Sequence, residues 1–565
     1  MRETLTRNRI LAGEESGRPA RAALLGEDLA LIVDGAAEAG GRRGGGVEAR
    51  IAPADALDGI ATTELGTLLR EELARLPRPS RERILAQISA APELERAAST
   101  RVGAALHTVR EVLRERLPRC EVSETRVAGV AVERILAIDD NSFWINGWRH
   151  DHDGRGDVAV VSPEGQRTPL TDAYRYERPD VVQFYSGVGV DRTGNHGFTA
   201  HFRLPAPSLL ATGWLAELST SDGLQLEASC PPVVGDVGAV REAILGELGA
   251  RGAIGGPLAT DHGAPALTAL QRRIVSESKL ESVLSFGEPC RQPAVSVVVP
   301  LYRRLDFLEH QLLHFSQDPE LASADLIYVL DSPEQQDELE RLAADLFALH
   351  HVPFRIVNLS ASGGYAAANN HGISVARASR LLLLNSDVIP ERPGWLGKMT
   401  GFFEAVDRIG ALGPKLLYED DSVQHAGLFF HRPDPRRSWQ NAHCFKGMHR
   451  SFRPANVSRP VPAVTGACMM IDRDLYEEVG GLPAHYVQGD CEDSELCLRL
   501  AAAGRVNWYT AIAELYHLEG QSYASDIRRL RSEYNHWLQS ALLGDRIEQA
   551  MAEFDPNATV APSDR

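Results

Sequence analysis

The feature that most constrains the fold is a regular alternation of strand-like and helix-like segments that starts near Ala294. Nearly continuous apolar runs are typical of strands covered on both faces, and they occur at Val295–Val299, Leu326–Leu330, Phe354–Val357 and Leu381–Leu384. Between the second and third runs, one face of a helix would carry Leu339, Leu342, Ala343, Leu346 and Leu349. This alternation predicts a parallel α/β sheet with a ligand crevice at the carboxyl ends of its strands.

Polar residues follow three of these runs. They are Pro300, Tyr302 and Arg303 after the first run, Asp331 after the second, and Asn385, Ser386 and Asp387 after the fourth. Taken alone, an Asp at a strand end is as often a turn residue as a functional one. No Gly-x-Gly-x-x-Gly follows the first run and no Gly-x-x-x-x-Gly-Lys-Ser/Thr occurs in the chain, so dinucleotide and P-loop sites lose their main support.

The motifs of this region resemble one family in their order and spacing, the family 2 glycosyltransferases of the GT-A fold. Bacterial rhamnosyltransferase-like and galactofuranosyltransferase-like members are the most similar. The matching motifs are Val295–Tyr302, Ser362–Ile373, Leu382–Asp387, Gly413–Tyr418, Gln424–Gly427, Thr465–Ile471, Gly480–Leu482, Gly489–Leu500 and His517–Ser522, roughly 40% of the chain from first to last. The resemblance implies a nucleotide-diphospho-sugar transferase domain with a Rossmann-like sheet.

A divalent metal site is the first implication of the resemblance. In the family the fourth strand ends in an Asp-x-Asp-like motif whose last Asp holds the metal, and Asp387 has that place here. His517 matches a family histidine that completes the metal or phosphate site. Asn385 replaces the first acidic residue, so it would contact the donor sugar or ribose. Mg²⁺ or Mn²⁺ at Asp387 would neutralise the charge that develops on a diphosphate leaving group.

A catalytic base is the second implication. Glu492 and Asp493 begin an apolar-periodic helix, where carboxylates also cap amides and complement the helix dipole. In the family one Asp of such a pair takes the proton of the attacking hydroxyl. We predict that Asp493 is this base and that Glu492 assists it, with Asp490 as the alternative.

The remaining site residues bind the nucleotide sugar in the resembling enzymes. Thr465 and Gly466 would border the donor sugar or the acceptor. Ser362, Ala367 and Ala368 depart from the usual residues of their turn, which leaves the base contacts open. The nucleotide-sugar residues implied are Pro300, Tyr302, Arg303, Asp331, Gly364, Asn369, Asn385, Ser386, Thr465 and Gly466.

The rest of the chain divides by composition. The stretch 35–46 holds six glycines, so residues 1–50 are expected to be flexible. Short β-branched and aromatic runs separated by turns predict a β-sandwich. Within it, the pattern of Asp151–Asp157 favours a polar turn over a Ca²⁺-binding loop. The sandwich would bind acceptor or form a subunit interface. The expected regions are a flexible segment 1–50, a helical region 51–119, a β-sandwich 120–235, a helical connector and linker 236–293, the GT-A domain 294–545 and a tail 546–565.

Composition limits the partners. The 77 Asp and Glu residues exceed the 59 Lys and Arg residues, and the resulting net charge of −18 argues against nonspecific nucleic-acid binding. No apolar run approaches the ~20 residues that span a bilayer, and no apolar signal segment follows Met1. We therefore expect a cytoplasmic protein, with peripheral contact at the inner membrane face if its acceptor is lipid-linked. The seven cysteines are scattered and form no Cys-x-x-Cys pair, which argues against a disulfide framework or a structural zinc.

The sequence thus predicts an inverting, metal-dependent glycosyltransferase. It would move a sugar from a UDP- or dTDP-sugar to a hydroxyl of a glycan or lipid-linked saccharide, in cell-surface polysaccharide synthesis. One alternative is an inactive GT-A protein that binds or assembles glycans, because Asn385 lacks the usual charge. A nucleotidyltransferase would need a glycine-rich basic loop after the first strand, and Leu301–Leu305 has no glycine. The oligomeric state is left open.

Overall fold

A computed structural model of the chain describes residues 127–151, 154–185, 195–288, 290–518, 525–552 and 554–555, together with short segments between 21 and 122. These residues fall into two compact units, which we call the N-terminal unit (Met1–Val240) and the C-terminal unit (Arg241–Arg565). Among the described residues, no helix combines the length and the apolar character needed to cross a membrane.

The N-terminal unit begins with a four-stranded sheet in the order β3-β2-β1-β4. Its strands are β1 (Arg21–Leu24), β2 (Leu29–Asp34), β3 (Glu48–Pro53) and β4 (Ala61–Thr62). This differs from the flexible segment expected over 1–50, because the apolar run within β2 is enough for a strand. The glycine-rich stretch behind that expectation lies outside the described residues. Most of the helical region expected over 51–119 also lies outside the described residues. Among the residues of that region that are described, the end of β3 and all of β4 are strands, and Leu68 and Val109 are helical.

Two antiparallel sheets follow, in the orders β10-β11-β7-β6-β5 and β13-β12-β8-β9. Buried side chains of both, such as Ile145 and Leu218, belong to one core, and the predicted β-sandwich stays a prediction. Asp151 accepts a hydrogen bond from the N–H of Gly156 (2.7 Å) and pairs with Arg149. The elements are β5 (Cys120–Val122), β6 (Val127–Ala137), β7 (Ser142–His150), β8 (Asp157–Val161), β9 (Arg167–Pro169), β10 (Tyr174–Tyr176), α1 (Pro179–Tyr185), β11 (Gly197–Arg203), β12 (Leu215–Ser219) and β13 (Gln225–Ser229).

The C-terminal unit alternates helices and strands. Its first half contains α2 (Val237–Ala250), a π-helical turn (Leu258–Gly263), α3 (Ala264–Glu277), β14 (Leu280–Phe286), β15 (Ser296–Leu301), α4 (Asp306–Ser316), β16 (Asp325–Leu330), α5 (Gln336–His350), β17 (Phe354–Leu359), α6 (Tyr365–Ser374), β18 (Arg380–Leu384), β19 (Val388–Pro390) and α7 (Trp395–Ala405). Its second half contains β20 (Ile409–Leu417), β21 (Val423–His425), β22 (Leu428–His431), β23 (Gln440–His443), β24 (Arg459–Pro460), β25 (Cys468–Asp472), α8 (Arg473–Glu478), α9 (Glu492–Ala502), β26 (Val506–His517) and α10 (Ser525–Met551). Short 3-10 turns lie at Pro319–Ser323, Pro333–Gln335 and Arg453–Asn456.

The large sheet of this unit is mixed, whereas the sequence predicted a parallel one. Its order is β14-β17-β16-β15-β18-β25-β20-β26-β19. The four central strands β17, β16, β15 and β18 are parallel, because helical crossovers return the chain in the same direction. Strand β25 is antiparallel to both neighbours, because the chain reaches it from β20 through hairpins and loops rather than a helical crossover.

Helices cover both faces of this sheet. Val297 and Val299 point into a core with α4, α5 and α7, and Val298 points into a core with α6 and α9, as the strand period of two requires. Helix α6 packs very closely, since a Cβ on Gly372 would lie 2.4 Å from Cγ1 of Val298. The carboxyl ends of the parallel strands therefore meet at one edge, where the predicted site residues lie.

Two predicted boundaries differ from the structure. Residues 236–293, expected as a helical connector, contain strand β14, which pairs antiparallel with β17. Half-buried Leu284 and Phe286 alternate with exposed Glu281, Val283 and Ser285, a strand period in a segment interpreted as helical. The boundary at 545 falls inside α10, which continues to Met551.

Candidate active site

Asp331, at the end of β16, organises the turn that leads into α6. Its carboxylate accepts hydrogen bonds from the N–H groups of Gly363 (2.7 Å) and Gly364 (3.1 Å) and from the hydroxyl of Ser362 (3.0 Å). Burial raises the pKa of Asp331 to about 6 even though these bonds favour the ionised form. Gly364 has a φ of +84°, which favours glycine. Asp331 thus holds the turn in place, while its contact with a base or ribose stays a prediction.

The loop after β15 places Tyr302 and Arg303 beside this turn. The Arg303 guanidinium lies 5.0 Å from the Tyr302 ring centroid, and the Arg303 N–H donates to the Ser332 hydroxyl (3.2 Å). Pro300 lies within β15 opposite Val329. Arg241 of α2, a residue that the sequence did not suggest, is buried within electrostatic range of Tyr302, and burial lowers the pKa of its guanidinium.

Asp387 and His517 lie side by side at the end of β18. Strands β19 and β26 pair Val388 with His517, and this places Nε2 of His517 3.4 Å from Oδ1 of Asp387. Oδ1 of Asn385 and Nδ1 of His517 are buried without a hydrogen-bond partner. One carboxylate, one imidazole and a nearby amide oxygen suit Mg²⁺ or Mn²⁺, provided that a ligand supplies further oxygens. Within the described ranges, no group of three or more His, Cys, Asp or Glu side chains could hold a metal ion alone.

Glu492 and Asp493 begin α9 and differ in their surroundings. The N–H groups of Gly466 (2.8 Å) and Ser494 (2.7 Å) donate to the two carboxylate oxygens of Asp493, which is partly exposed. Burial raises the pKa of Asp493, and these two bonds oppose the rise. Glu492 is 6% exposed, and Oε2 of its carboxyl has no partner. Burial, followed by the charges of Asp493 and Asp490, raises the pKa of Glu492 well above its usual range. The surroundings therefore favour an ionised Asp493 beside a protonated Glu492.

The loop before this pair has an unusual backbone. Gln488, Gly489, Asp490 and Cys491 all have positive φ, at 61°, 134°, 73° and 78°. Three of the four carry side chains, for which this conformation is uncommon and costs energy. Such a run persists only where its surroundings hold it.

Helix α10 supplies that support through two fully buried side chains. The Asn535 amide donates to the carbonyls of Val487 (3.1 Å) and Gly489 (2.6 Å) and accepts from the Val487 N–H (2.9 Å). The Gln539 amide donates to the carbonyl of Cys491 (3.2 Å) and to the Ser494 hydroxyl (2.7 Å). The sequence predicts a role for neither residue, because they lie more than 40 residues after the loop and polar side chains on a helix are usually solvent-exposed.

Tyr365 joins the turn before α6 to the segment beside Asp493. Its hydroxyl donates to the carbonyl of Gly466 (2.7 Å). A Cβ on Gly466 would lie 2.8 Å from that hydroxyl and 3.3 Å from Cβ of Asp493, so a side chain at this position would have to displace one of the two. The neighbouring Thr465 is partly exposed and accepts from the N–H of Ala467 (3.2 Å).

The structure supports two of the predicted nucleotide-sugar-binding residues less well. Asn369 is fully buried within α6 and donates to the carbonyl of Tyr365 (2.9 Å), so the structure gives it no exposed surface for a ligand. Ser386 is partly exposed in the turn after β18. Their contacts with a nucleotide sugar stay predictions.

A narrow cleft with room for about one water molecule opens beside Glu492. It lies between helix α3, the turn before α6 and the loop before α9. Its lining residues are Gln271, Gly363, Gly364, Tyr365, Ala366, Pro483, Ala484, Tyr486, Gln488, Gly489 and Glu492.

This sheet carries carboxylates and a histidine at the carboxyl ends of its parallel strands, which is where open α/β sheets bind ligands. Residues 296–480 match the family model described as glycosyl transferase family 2. The match covers 185 of the chain's 565 residues, and this region is similar to the family 2 glycosyltransferases.

Curated relatives match part of the chain. Protein y4gI of Sinorhizobium fredii, whose activity is uncharacterised, is 29% identical over 231 residues, which cover 41% of this chain and 25% of the relative. The O-antigen biosynthesis protein RfbC of Myxococcus xanthus is 27% identical, covering 44% of this chain and 19% of the relative. The N-acetylglucosaminyl-diphospho-decaprenol L-rhamnosyltransferase of Mycobacterium tuberculosis is 29% identical, covering 24% of this chain and 45% of the relative. The chain therefore spans less than half the length of each of these relatives.

Among solved structures, the mannosyltransferase PcManGT from Pyrobaculum calidifontis in complex with GDP-Man and Mn²⁺ aligns with a TM-score of 0.33 and 17% identity. The alignment covers 54% of this chain and 76% of that one. This similarity is too low to support a fold assignment. The description of the fold follows from the strand order of the large sheet.

Proposed function

We propose that the chain is an inverting, metal-dependent glycosyltransferase that acts in polysaccharide synthesis. The observation that carries the proposal is Asp493, a partly exposed carboxylate that two backbone N–H groups favour in its ionised form, 13 residues beyond the region that matches family 2. An ionised carboxylate at the edge of a ligand crevice can accept the proton of an attacking hydroxyl. The names of the M. xanthus and M. tuberculosis relatives support O-antigen-like or lipid-linked saccharides as the setting.

In the proposed reaction, Asp493 takes the proton of an acceptor hydroxyl as its oxygen attacks the anomeric carbon of the donor sugar. A new glycosidic C–O bond forms on the face opposite to the diphosphate. The bond from the anomeric carbon to the diphosphate oxygen breaks, and the nucleoside diphosphate leaves with that electron pair. Attack from the opposite face inverts the anomeric configuration. The protonated Glu492 would donate a hydrogen bond to the acceptor.

Asp387 and His517 are the residues that would hold a divalent metal, with Asn385 nearby. A bound Mg²⁺ or Mn²⁺ would stabilise the negative charge that develops on the diphosphate. Tyr302, Arg303 and the turn held by Asp331 would bind the nucleoside of a UDP- or dTDP-sugar. We further propose a cytoplasmic location, with peripheral contact at the inner membrane face if the acceptor is lipid-linked.

The experiment measures nucleoside diphosphate release from UDP-, dTDP- and GDP-sugars with Mn²⁺, Mg²⁺ or EDTA. We expect slow hydrolysis of one donor that EDTA abolishes and that both Asp387→Ala and Asp493→Asn reduce by at least about 100-fold. Asp407→Asn, at an exposed carboxylate of the same unit, is the matched control and should retain full activity. Hydrolysis that survives Asp493→Asn would contradict the assignment of the base.

Asn385 motivates a second candidate, a GT-A protein that binds glycans or assembles them without turnover. Its amide oxygen carries no charge where family members commonly have a carboxylate. Metal-dependent nucleotide binding by calorimetry, without hydrolysis of any donor and without transfer, would favour this alternative.

A further inference from the structure

Gly466 lies between the proposed base and helix α6, and each of its two backbone polar groups bonds to one of them. Its N–H donates to Oδ2 of Asp493 (2.8 Å), and its carbonyl accepts from the hydroxyl of Tyr365 (2.7 Å). The packing is close, because a Cβ on Gly466 would lie 2.8 Å from that hydroxyl and 3.3 Å from Cβ of Asp493. Tyr365 thus reaches the proposed base through a single residue.

A glycine at this place needs anchors, because the absence of a Cβ leaves its backbone torsions unusually free. The bond to Asp493 holds the N–H side of Gly466, and the bond from Tyr365 holds its carbonyl side. The following residue is held separately, since the carbonyl of Ala467 accepts from the N–H of Asn385 (2.8 Å). Removal of the Tyr365 hydroxyl would therefore free the carbonyl side of Gly466 and leave the bond at Ala467 in place.

The orientation of Gly466 matters for the charge of Asp493. Its N–H is one of the two that favour the ionised carboxylate, and this bond lowers the pKa of Asp493 against the effect of burial. Hydrogen bonds weaken steeply as their angle departs from linear. A freely rotating Gly466 would therefore donate a weaker bond, which raises the pKa of Asp493 and loosens the direction in which its carboxylate points.

We propose that Tyr365 is a positioning residue for the base Asp493 and acts on it through the backbone of Gly466. The proposal rests on the proposed transferase function, in which Asp493 takes the proton of the attacking hydroxyl. Burial, followed by the charges of Glu492 and Asp493, raises the pKa of Tyr365 well above its usual range. The hydroxyl therefore stays protonated and remains a donor to Gly466 wherever Asp493 titrates.

The titratable groups around Asp493 belong to α9, to the loop before it and to α6. They include Glu492, Cys497, Asp490, Cys491 and Tyr365. Burial raises the pKa of the glutamate, of both thiols and of the phenol, so these groups stay neutral where Asp493 titrates. The charge of Asp490 is the same in the wild type and in Tyr365→Phe. A shift of the pH profile in this variant therefore reports the bond from Gly466.

The test measures nucleoside diphosphate release by the full chain against pH, with whichever of the UDP-, dTDP- and GDP-sugars the wild type hydrolyses. Tyr365→Phe keeps the aromatic ring and removes the hydroxyl. We expect kcat to fall by about 3- to 10-fold, the effect of one hydrogen bond. The acidic limb of kcat/KM should move to higher pH. Affinity for the nucleoside diphosphate, measured by calorimetry, should not change, because Asp331 holds the neighbouring turn through its own bonds.

Tyr509→Phe is the matched control. Tyr509 is fully buried in the same unit, and its hydroxyl also donates to a backbone carbonyl, that of Ala455 (2.6 Å) in the 3-10 turn Arg453–Asn456. The two variants thus lose the same kind of hydrogen bond. We expect Tyr509→Phe to lower thermal stability while kcat and the acidic limb stay in place.

Gly466→Ala disturbs the same contact from the other side, because its Cβ meets the Tyr365 hydroxyl at 2.8 Å. Alone it should lower kcat and move the acidic limb in the same direction as Tyr365→Phe, so the proposal stays testable if Tyr365→Phe does not fold. In the Tyr365→Phe background, where that hydroxyl is absent, it should add less than it does alone.

The proposal requires both the fall in kcat and the limb at higher pH. An acidic limb that Tyr365→Phe leaves in place overturns it, as does an equal shift in Tyr509→Phe, which would indicate a general loss of stability. A loss of nucleotide affinity with kcat unchanged would place Tyr365 in the donor site instead. In each of these cases the wild type still hydrolyses a donor, so the transferase function stands. If the wild type hydrolyses no donor, the transferase function fails, and the positioning role fails with it.

Discussion

At the scale of single residues, the base assignment predicts a specific pH dependence. Asp493 must be ionised to accept a proton, so kcat/KM should fall as the pH falls through its raised pKa. The negative charge of Asp490 contributes to that rise. Asp490→Asn removes the charge and keeps a residue that tolerates a positive φ. It should move the acidic limb of the profile to lower pH.

The measurement is kcat/KM against pH for the wild type and Asp490→Asn. Asp474→Asn, in helix α8, serves as the control and should leave the profile in place. An acidic limb that stays fixed or moves to higher pH in Asp490→Asn would show that another group controls it.

Asp331 gives a second prediction at this scale, concerning stability. Its pKa is raised from 3.8 to about 6, so the fold disfavours its charged form relative to the unfolded chain. The stability that this raised pKa confers is complete below about pH 4 and is lost as the pH rises through 6. Relative to Asp331→Asn, the wild type should lose up to about 3 kcal/mol of unfolding free energy between pH 4 and 7.

Urea unfolding of both proteins at several pH values measures this difference. The substitution also changes hydrogen bonds to Gly363 and Gly364, which adds a constant offset. The slope with pH is therefore the diagnostic quantity. A difference that stays constant or grows in favour of the wild type as the pH rises would contradict the raised pKa.

At the scale of elements, α10 is expected to control the loop that precedes the catalytic pair. Asn535→Leu removes three hydrogen bonds to Val487 and Gly489 and leaves buried backbone groups unpaired. We expect a loss of about 2–4 kcal/mol of unfolding free energy and a fall in kcat of at least about 10-fold, because the positive-φ run loses its support. Nucleotide affinity should change little.

Thermal unfolding, kcat and nucleotide binding test this role together. Gln549→Ala, at an exposed position of the same helix, is the matched control. Equal losses of nucleotide affinity and kcat in Asn535→Leu would indicate general destabilisation instead of a local effect on the loop.

Sequence patterns predicted some of these elements and not others. The apolar runs predicted strands β15 to β18, because burial on both faces leaves a local signature. Strand β14 was interpreted as helical, because its half-buried positions Leu284 and Phe286 are too few for a clear period. The four residues Gln488–Cys491 have positive φ but include a single glycine, so their composition does not predict this left-handed backbone. Tertiary packing alone brings three further residues to the site, namely Gln271, Asn535 and Gln539. The residues around each of them in the sequence do not indicate this position.

At the scale of the whole molecule, each unit has its own hydrophobic core. Phe143 and Leu218 belong to the core of the N-terminal unit, whereas Leu330 and Leu339 belong to one in the C-terminal unit. Separate cores favour separate cooperative transitions. We therefore predict two transitions in calorimetric unfolding of the full chain.

Core variants assign the transitions, and a ligand then tests the location of the site. Phe143→Ala and Leu330→Ala should each lower one transition, by an amount equivalent to about 2–5 kcal/mol, and leave the other in place. UDP or dTDP with Mn²⁺ should raise only the transition that Leu330→Ala lowers, because a ligand stabilises the folded unit that binds it. At a hundred times the dissociation constant the gain is about 2.7 kcal/mol. A single transition that both variants lower would show that the units unfold as one, and a ligand shift of the transition assigned by Phe143→Ala would place nucleotide binding in the N-terminal unit.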